Sequence, residues 1–400
     1  MTSVIDRAQA VLWPTYRRPP AEFVRGEGVR LWDADGREHL DFLSGIAVVA
    51  AGHAHPAVVA AVTAQVGALG HTSNLFATEP AVALAERLVA RFGGRARVFL
   101  SSSGAEANEA AIKLARRWGS VTKGATGIVA ADGGFHGRTL GALAATGKPA
   151  IRDPFGPLPP GFAHVPYGDA DALAAAVGPG TAAVLLEPVQ GEAGVVVPPP
   201  GYLAAAREIT AAAGALLVLD EVQSGVGRTG RFFAAEHEGV RPDVVTLAKA
   251  LGNGLPVGAT IADEDVAAVL VPGDHGSTFA GGPVACAAAL AVLDVVEPRL
   301  RDGHVEAVGR RLGDGLVALA DRAGGGALAR GLGLWWALDL GAGSVPAADV
   351  AIAALAHGVV VNAVTATAVR LAPPLVVTAA EVDEALARLG AALVEVGVCR

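Results

Sequence analysis

The stretch Asp243-Val-Val-Thr-Leu-Ala-Lys249-Ala-Leu-Gly-Asn-Gly-Leu-Pro256 sends a short apolar run into one lysine and then into a glycine-rich bend. The run is too short for a helix and lacks full polar/apolar alternation, so it predicts a strand buried on both faces. Working outward, similar apolar runs fall at 97–100, 127–130, 182–187 and 215–220. Alanine-rich segments of helical character lie between them, as at 105–118 and 202–213. Strand-helix-strand order implies right-handed crossovers and a mostly parallel sheet sandwiched by helices, an α/β fold.

On either side the texture changes. Near the start, Gly28-Val-Arg-Leu-Trp-Asp-Ala-Asp-Gly36-Arg-Glu-His-Leu-Asp41 predicts two short strands about an Asp-Gly turn, and Pro56 opens a helix to about Gly67. After about Val284 the expectation is a long helical stretch to about Arg322 and a strand around 334–340. A helix, a strand at 359–362 and a last helix from Ala379 follow. The expected division is 1–55, an N-terminal segment of a smaller α/β unit; 56–283, the large unit; and 284–400, the rest of the smaller unit.

With 400 residues, 52% of them hydrophobic, the chain has ample material for a large core. The net charge of −8 and the lack of a clustered basic patch argue against a nucleic-acid partner. Two cysteines, Cys286 and Cys399, with no CxxC or Cys/His spacing, exclude a disulfide framework and fit a reducing compartment. The first residues lack the apolar core of a signal peptide, and the apolar run 284–293 is too short to span a bilayer. A cytoplasmic protein with no membrane partner is the expectation.

Three segments carry candidate chemistry. Ser101-Ser-Ser-Gly-Ala-Glu-Ala-Asn-Glu109 runs from a strand through small residues into a helix, which leaves free N–H groups at a positive dipole end, a phosphate cup. Read alone, an ordinary capped helix explains it as well. Asp220 ends a buried strand, where ligands bind in such sheets, and could pair with a protonated pyridine nitrogen, serve as a Walker-B-like metal carboxylate, for which no Gly-x-x-x-x-Gly-Lys-Ser/Thr loop is present, or cap a helix. Lys249 at a strand end suits a nucleophilic amine, or a snorkelling lysine. Gly225-Val-Gly-Arg-Thr-Gly230 matches a dinucleotide-binding pattern, but Glu221-Val-Gln-Ser separates it from the strand and Phe232-Phe233 follows it instead of a clear helix.

In order along nearly the whole chain stand Gly52-His-Ala-His-Pro56, Ser103-Gly-Ala-Glu-Ala-Asn-Glu109, Phe135-His-Gly-Arg138, Glu187-Pro-Val-Gln-Gly-Glu192, Asp220-Glu-Val-Gln223, Gly227-Arg-Thr-Gly230, Lys249-Ala-Leu-Gly-Asn-Gly254, His275-Gly-Ser-Thr278 and Arg370-Leu-Ala-Pro-Pro374. Together they resemble the class III (ω-amino) aminotransferases of fold type I, which use pyridoxal 5'-phosphate. The resemblance implies that Lys249 holds the cofactor as a Schiff base and that Asp220 pairs with its pyridine nitrogen. It implies Phe135 on the ring face, Gln223 at the ring hydroxyl, and Gly104 and Ala105 at the phosphate. Thr278 would reach the phosphate of a neighbouring subunit, making a homodimer. Glu192 and Arg370 resemble the family's switch pair, Arg138 would hold a distal carboxylate, and His53 and His55 would be structural, with no metal.

Within the family, Gly45-Ile-Ala-Val48, Ser73-Asn-Leu-Phe-Ala-Thr-Glu-Pro80 and Val361-Asn-Ala-Val-Thr365 are similar to the branch acting on N2-acetylornithine with 2-oxoglutarate or glutamate as partner substrate, in arginine biosynthesis. Sibling reactions on succinylornithine, ornithine, 4-aminobutyrate or an acyl-diaminopimelate share this chemistry. An NAD-linked oxidoreductase and a noncatalytic binding protein are the readings outside it. Two departures from the family pattern stand out, Ser277-Thr-Phe-Ala-Gly-Gly-Pro283 and the glycine-rich Asp132-Gly-Gly134.

Overall fold

Seven strands lie side by side in the order Ala96–Ser101, Gly258–Asp263, Val244–Leu247, Leu216–Asp220, Thr181–Leu186, Gly127–Ala131 and Phe162–Val165. The structure, a computed structural model, describes residues 3–399. The five strands from Val244–Leu247 to Phe162–Val165 run parallel, whereas Gly258–Asp263 is antiparallel to both its neighbours. Every residue of Thr181–Leu186, Leu216–Asp220 and Val244–Leu247 is buried, as two-sided burial requires.

Two strands of this sheet escaped the sequence reading. Phe162–Val165 is a short edge strand with a polar His164. Gly258–Asp263 begins with small residues, and a Cβ at Gly258 would lie 2.5 Å from the Ser101 hydroxyl, so the side chains that advertise a strand have no room there.

Two smaller sheets flank the large one. Phe23–Glu27, Arg30–Asp33 and Glu38–Asp41 form a meander that Val359–Val360 joins in parallel, so the two ends of the chain share a sheet. Leu328–Leu332, Trp335–Asp339, Ala368–Leu371 and Asn362–Ala363 form an antiparallel sheet. The strand expected at 359–362 is thus two strands of two residues each, in different sheets. The long helical stretch is two helices, Pro283–Arg301 and His304–Ala323, with Gly303 between them at φ +68°. Fully buried Leu40, Leu84, Leu247, Leu293, Leu312 and Leu389 belong to one cluster spanning all these parts. Among the described residues no helix is long and apolar enough to cross a membrane.

Candidate active site

The carboxyl ends of the central parallel strands open onto a cavity of about 500 Å³, within the range of small-molecule sites. Asp220 ends its strand, Glu187 follows the neighbouring one, and Lys249 follows Val244–Leu247; all three line the cavity. Lys249 begins a short turn with φ +36°, a costly conformation for a side-chain-bearing residue. Asn253 anchors that bend to the N-terminal segment, accepting from Ala51 N–H at 2.7 Å and donating to the Gly52 carbonyl at 2.9 Å. Burial pushes the Lys249 amine down to about 8, against the opposing pull of Glu192.

Ser101 leads into the helix Gly104–Lys123, whose first turn also faces the cavity. Ser103 caps it by accepting from Glu106 N–H at 3.2 Å, and Glu106 reaches back to Ser102 N–H at 2.5 Å. Gly104 and Ala105 present the helix's unpaired N–H end to the cavity. A Cβ on Gly104 would sit 2.6 Å from a Val222 methyl, so glycine lets the backbone come close.

Asp220 is 4% exposed. Its Oδ2 accepts from Asn108 Nδ2 at 2.7 Å and meets His136 Nδ1 at 2.8 Å, while its Oδ1 accepts from Val222 N–H at 3.0 Å. Burial alone would lower the His136 imidazole, but the Asp220 carboxylate outweighs it and raises it. Glu187 Oε1 accepts from Phe135 N–H at 2.8 Å and so fixes the chain at a half-buried ring that lines the cavity. Burial pushes the Glu187 carboxyl up to about 7.

Arg370, 1% exposed, comes from the C-terminal antiparallel sheet. Its Nη1 donates to Glu192 Oε1 at 2.5 Å and to Gln223 Oε1 at 2.9 Å, and its Nε donates to Asn362 Oδ1 at 3.2 Å. Burial would raise Glu192, but Arg370 beside it holds its carboxyl below the usual range. Exposed Arg138 stands over the Phe135 ring, 5.7 Å from its centroid, at the cavity wall.

The structure therefore brings together Lys249, Asp220, Gly104, Ala105, Phe135, Gln223 and Arg138 around one cavity, with the Glu192–Arg370 pair joined to it through Gln223. Thr278 is exposed and does not line the cavity of its own chain. His53 pairs with Asp41 at 2.7 Å, and His55 caps the helix Pro56–Ala68. The glycines of Gly225–Gly230 lead into a 3-10 turn at Ala234–Glu238 rather than a helix, and Arg228 among them is fully buried, donating to the Leu334 and Pro373 carbonyls. Sequence reasoning assigned no role to Asn108, His136 and Asn362. Asn108 carried a signal, a polar residue beside Ala107 and Ala111 on an otherwise apolar helix face.

This donor set suits pyridoxal phosphate. An N–H-rich helix end with no room for a side chain takes a phosphate. A buried carboxylate suits the ring nitrogen, an aromatic wall the ring, and a partly neutral amine the aldehyde.

Comparison with known proteins agrees. The pattern of the family Aminotransferase class-III matches residues 14–393. An acetylornithine aminotransferase of Mycobacterium tuberculosis is 54% identical over 390 residues, 97% of this chain and 95% of the relative. One from Streptomyces coelicolor is 56% identical over 372 residues, covering 92% and 90%. Among solved structures, the ornithine aminotransferase of Toxoplasma gondii superposes with a TM-score of 0.94 at 34% identity, covering 98% and 94% of the two chains. The acetylornithine aminotransferase of Elizabethkingia anophelis gives 0.87 at 33%, covering 98% of each.

Proposed function

This chain belongs to the class-III aminotransferases, and from that premise we propose that it moves the δ-amino group of N2-acetylornithine to 2-oxoglutarate, giving N-acetylglutamate 5-semialdehyde and glutamate, reversibly. Its cofactor is pyridoxal 5'-phosphate. The observation that carries the reading is a buried arginine, Arg370, held by a carboxylate at 2.5 Å beside the cavity of Lys249. Glutamate brings a carboxylate next to its reacting carbon, and acetylornithine brings only a methylene there. A guanidinium that forks onto the first needs a stand-in partner for the second, or it is left a buried unpaired charge. Glu192 is that stand-in.

Bound cofactor supplies an aldehyde for the substrate amine and a cationic ring that takes up electrons from the reacting carbon. Gly104 and Ala105 would donate backbone N–H groups to its phosphate. Asp220 would keep the ring nitrogen protonated, Phe135 would cover a ring face, and Gln223, which already accepts from Arg370, would meet the ring hydroxyl. The Lys249 Nζ, partly neutral through burial, takes the proton from the substrate's reacting carbon. Arg138 holds the distal carboxylate. This reading keeps the division 1–55, 56–283 and 284–400 and places the reaction in the cytoplasm, where the buried thiols of Cys286 and Cys399 stay reduced.

The substrate is tested by kcat/KM for the amine half-reaction with N2-acetylornithine, succinylornithine, ornithine and 4-aminobutyrate. Should another donor win, the substrate assignment falls and the class remains. Glu192→Ala is expected to move the two half-reactions in opposite directions. Arg370 is then free, so glutamate binds more readily, while the acetylornithine methylene faces an uncompensated guanidinium. A change of about tenfold in preference corresponds to 1.4 kcal/mol. Stopped-flow spectroscopy of the cofactor reads each half separately, and an equal loss in both would end the switch idea.

The enzyme works as a homodimer in which Thr278 serves the partner's site. Thr278 is exposed next to Phe279, 72% exposed, and Asn74 ties its loop by donating to the Ser277 and Ala280 carbonyls, each at 3.0 Å. Leu75 and Phe76, 85% and 69% exposed, continue this apolar face, more than a lone surface normally leaves in water. Mixing inactive Lys249→Ala with a weakened Thr278→Ala protein should raise activity above that of either alone, because a mixed dimer has one site with both residues native. No gain on subunit exchange would put Thr278 in its own chain's site.

A further inference from the structure

Lys148 lies outside every motif discussed so far. It is half-buried, and its Nζ donates to the main-chain carbonyl of Glu192 at 2.5 Å. Burial lowers its amine, and Glu192 opposes that lowering.

The unusually glycine-rich segment Asp132-Gly-Gly134 packs beside the turn that carries it. Gly133 N–H donates to the Gly147 carbonyl at 2.8 Å, and Gly147 N–H donates back to Gly134 at 2.9 Å. Neither side of this clamp has room for side chains. A Cβ on Gly147 would fall 2.0 Å from the Ala131 carbonyl oxygen, and one on Gly133, at φ +76°, 2.8 Å from Gln190 Oε1. Gln190 closes the arrangement by donating to the Asp132 carbonyl at 2.9 Å.

Glu192 sits in a tight turn. Gln190 and Val196 exchange backbone hydrogen bonds at 3.0 and 2.9 Å, and Gly194 and Val195 N–H both donate to Gly191. These bonds hold the turn's two ends. Among the described residues the Lys148 ammonium is the side chain that bonds Glu192's own peptide, and with that peptide held the carboxylate's direct way off Arg370 is rotation about its side chain.

We propose that Lys148 is a positioning residue for substrate choice: it fixes the Glu192 main chain so that the Glu192 carboxylate stays on Arg370 until a dicarboxylate displaces it. The inference rests on the switch reading above. A dicarboxylate must open the Glu192–Arg370 pair to bind, and a firmer Glu192 makes opening harder. Lys148 also adds positive charge near the site, which attracts a dianion whatever Glu192 does. The two roles separate in a double-mutant cycle.

The probe is glutarate, a dicarboxylate with neither amine nor ketone, titrated into holoenzyme and followed by the cofactor's absorption and by calorimetry. The proteins are wild type, Lys148→Met, Glu192→Ala and the double variant. If Lys148 acts through Glu192, Lys148→Met shifts affinity toward glutarate at least about threefold more in the wild-type background than in Glu192→Ala. The same fold-change in both backgrounds, or none in either, overturns the proposal and leaves a general charge effect at most. Lys148→Gln keeps an N–H donor without the charge. It should retain the wild-type grip on Glu192, and it serves if the methionine variant folds poorly; a Gln variant with a loosened grip equal to Met's counts against the hydrogen bond. The cycle is read without any amine donor, so failure of N2-acetylornithine as substrate leaves it intact. Failure of glutarate to bind either wild type or Glu192→Ala would instead remove the dicarboxylate half of the proposed reaction.

Discussion

Lys249→Ala is expected to abolish turnover, a loss of about 10⁴-fold or more if it forfeits both the covalent hold on the cofactor and the proton transfer. Borohydride reduction of the native holoenzyme followed by peptide mapping should find the cofactor on Lys249, and on nothing in the variant. Cofactor fixed to another lysine would sink the assignment. The environment of the amine adds a second, independent readout. With burial setting it at about 8, close to one-tenth of cofactor-free sites carry the neutral amine at pH 7 and about nine-tenths at pH 9. Covalent uptake of the aldehyde by cofactor-free enzyme should therefore speed up with pH and flatten above about pH 9. A rate still climbing past pH 10 would mean that Lys249 behaves as an ordinary solvated lysine.

Lys249 and Asp220 were legible because each ends a short run of apolar residues, and a strand buried on both faces leaves room for a charged residue only at its end. The Glu192–Arg370 pair was not legible from spacing: Glu192 sits in a turn after a strand of the large sheet and Arg370 in a strand of the C-terminal sheet, and only the resemblance joined two residues that meet at 2.5 Å. The partners of Asp220 stayed hidden for the same reason. Asn108 and His136 come from a helix and from the loop after another strand, and Thr246 supports Asn108 from a third segment; they meet only in the folded chain. The antiparallel Gly258–Asp263 strand was obscured by close packing that permits only small residues at its start. Lys148 was invisible because a lysine before a proline reads as an exposed loop, and the glycines that bury it looked like an irregularity.

Asp220→Asn is the second large effect expected, and its hydrogen bonds say why an isosteric change is severe. Oδ2 is filled by Asn108 Nδ2 and His136 Nδ1, and Oδ1 takes Val222 N–H. Thr246 Oγ1 is 3.4 Å from Oδ1, but its one proton goes to Asn108 Oδ1 at 2.8 Å. One acceptor position on Oδ1 therefore remains for a ring nitrogen, in a residue that lines the cavity. An asparagine whose amide nitrogen replaces Oδ1 would turn a donor toward Val222 N–H and toward the ring. One whose nitrogen replaces Oδ2 would oppose the Asn108 amide. In either orientation the negative charge is gone, and with it the force that raises the His136 imidazole and would keep the ring nitrogen protonated. The loss falls on a step shared by both substrates, so kcat for the two half-reactions should drop together, by about 10²- to 10³-fold as for other single electrostatic contacts in a buried site. That parallel loss distinguishes it from Glu192→Ala, which should drive the halves apart. Single-turnover rates with N2-acetylornithine and with glutamate, at measured cofactor content, decide the matter: near wild-type rates in a variant that retains cofactor would make Asp220 a structural residue.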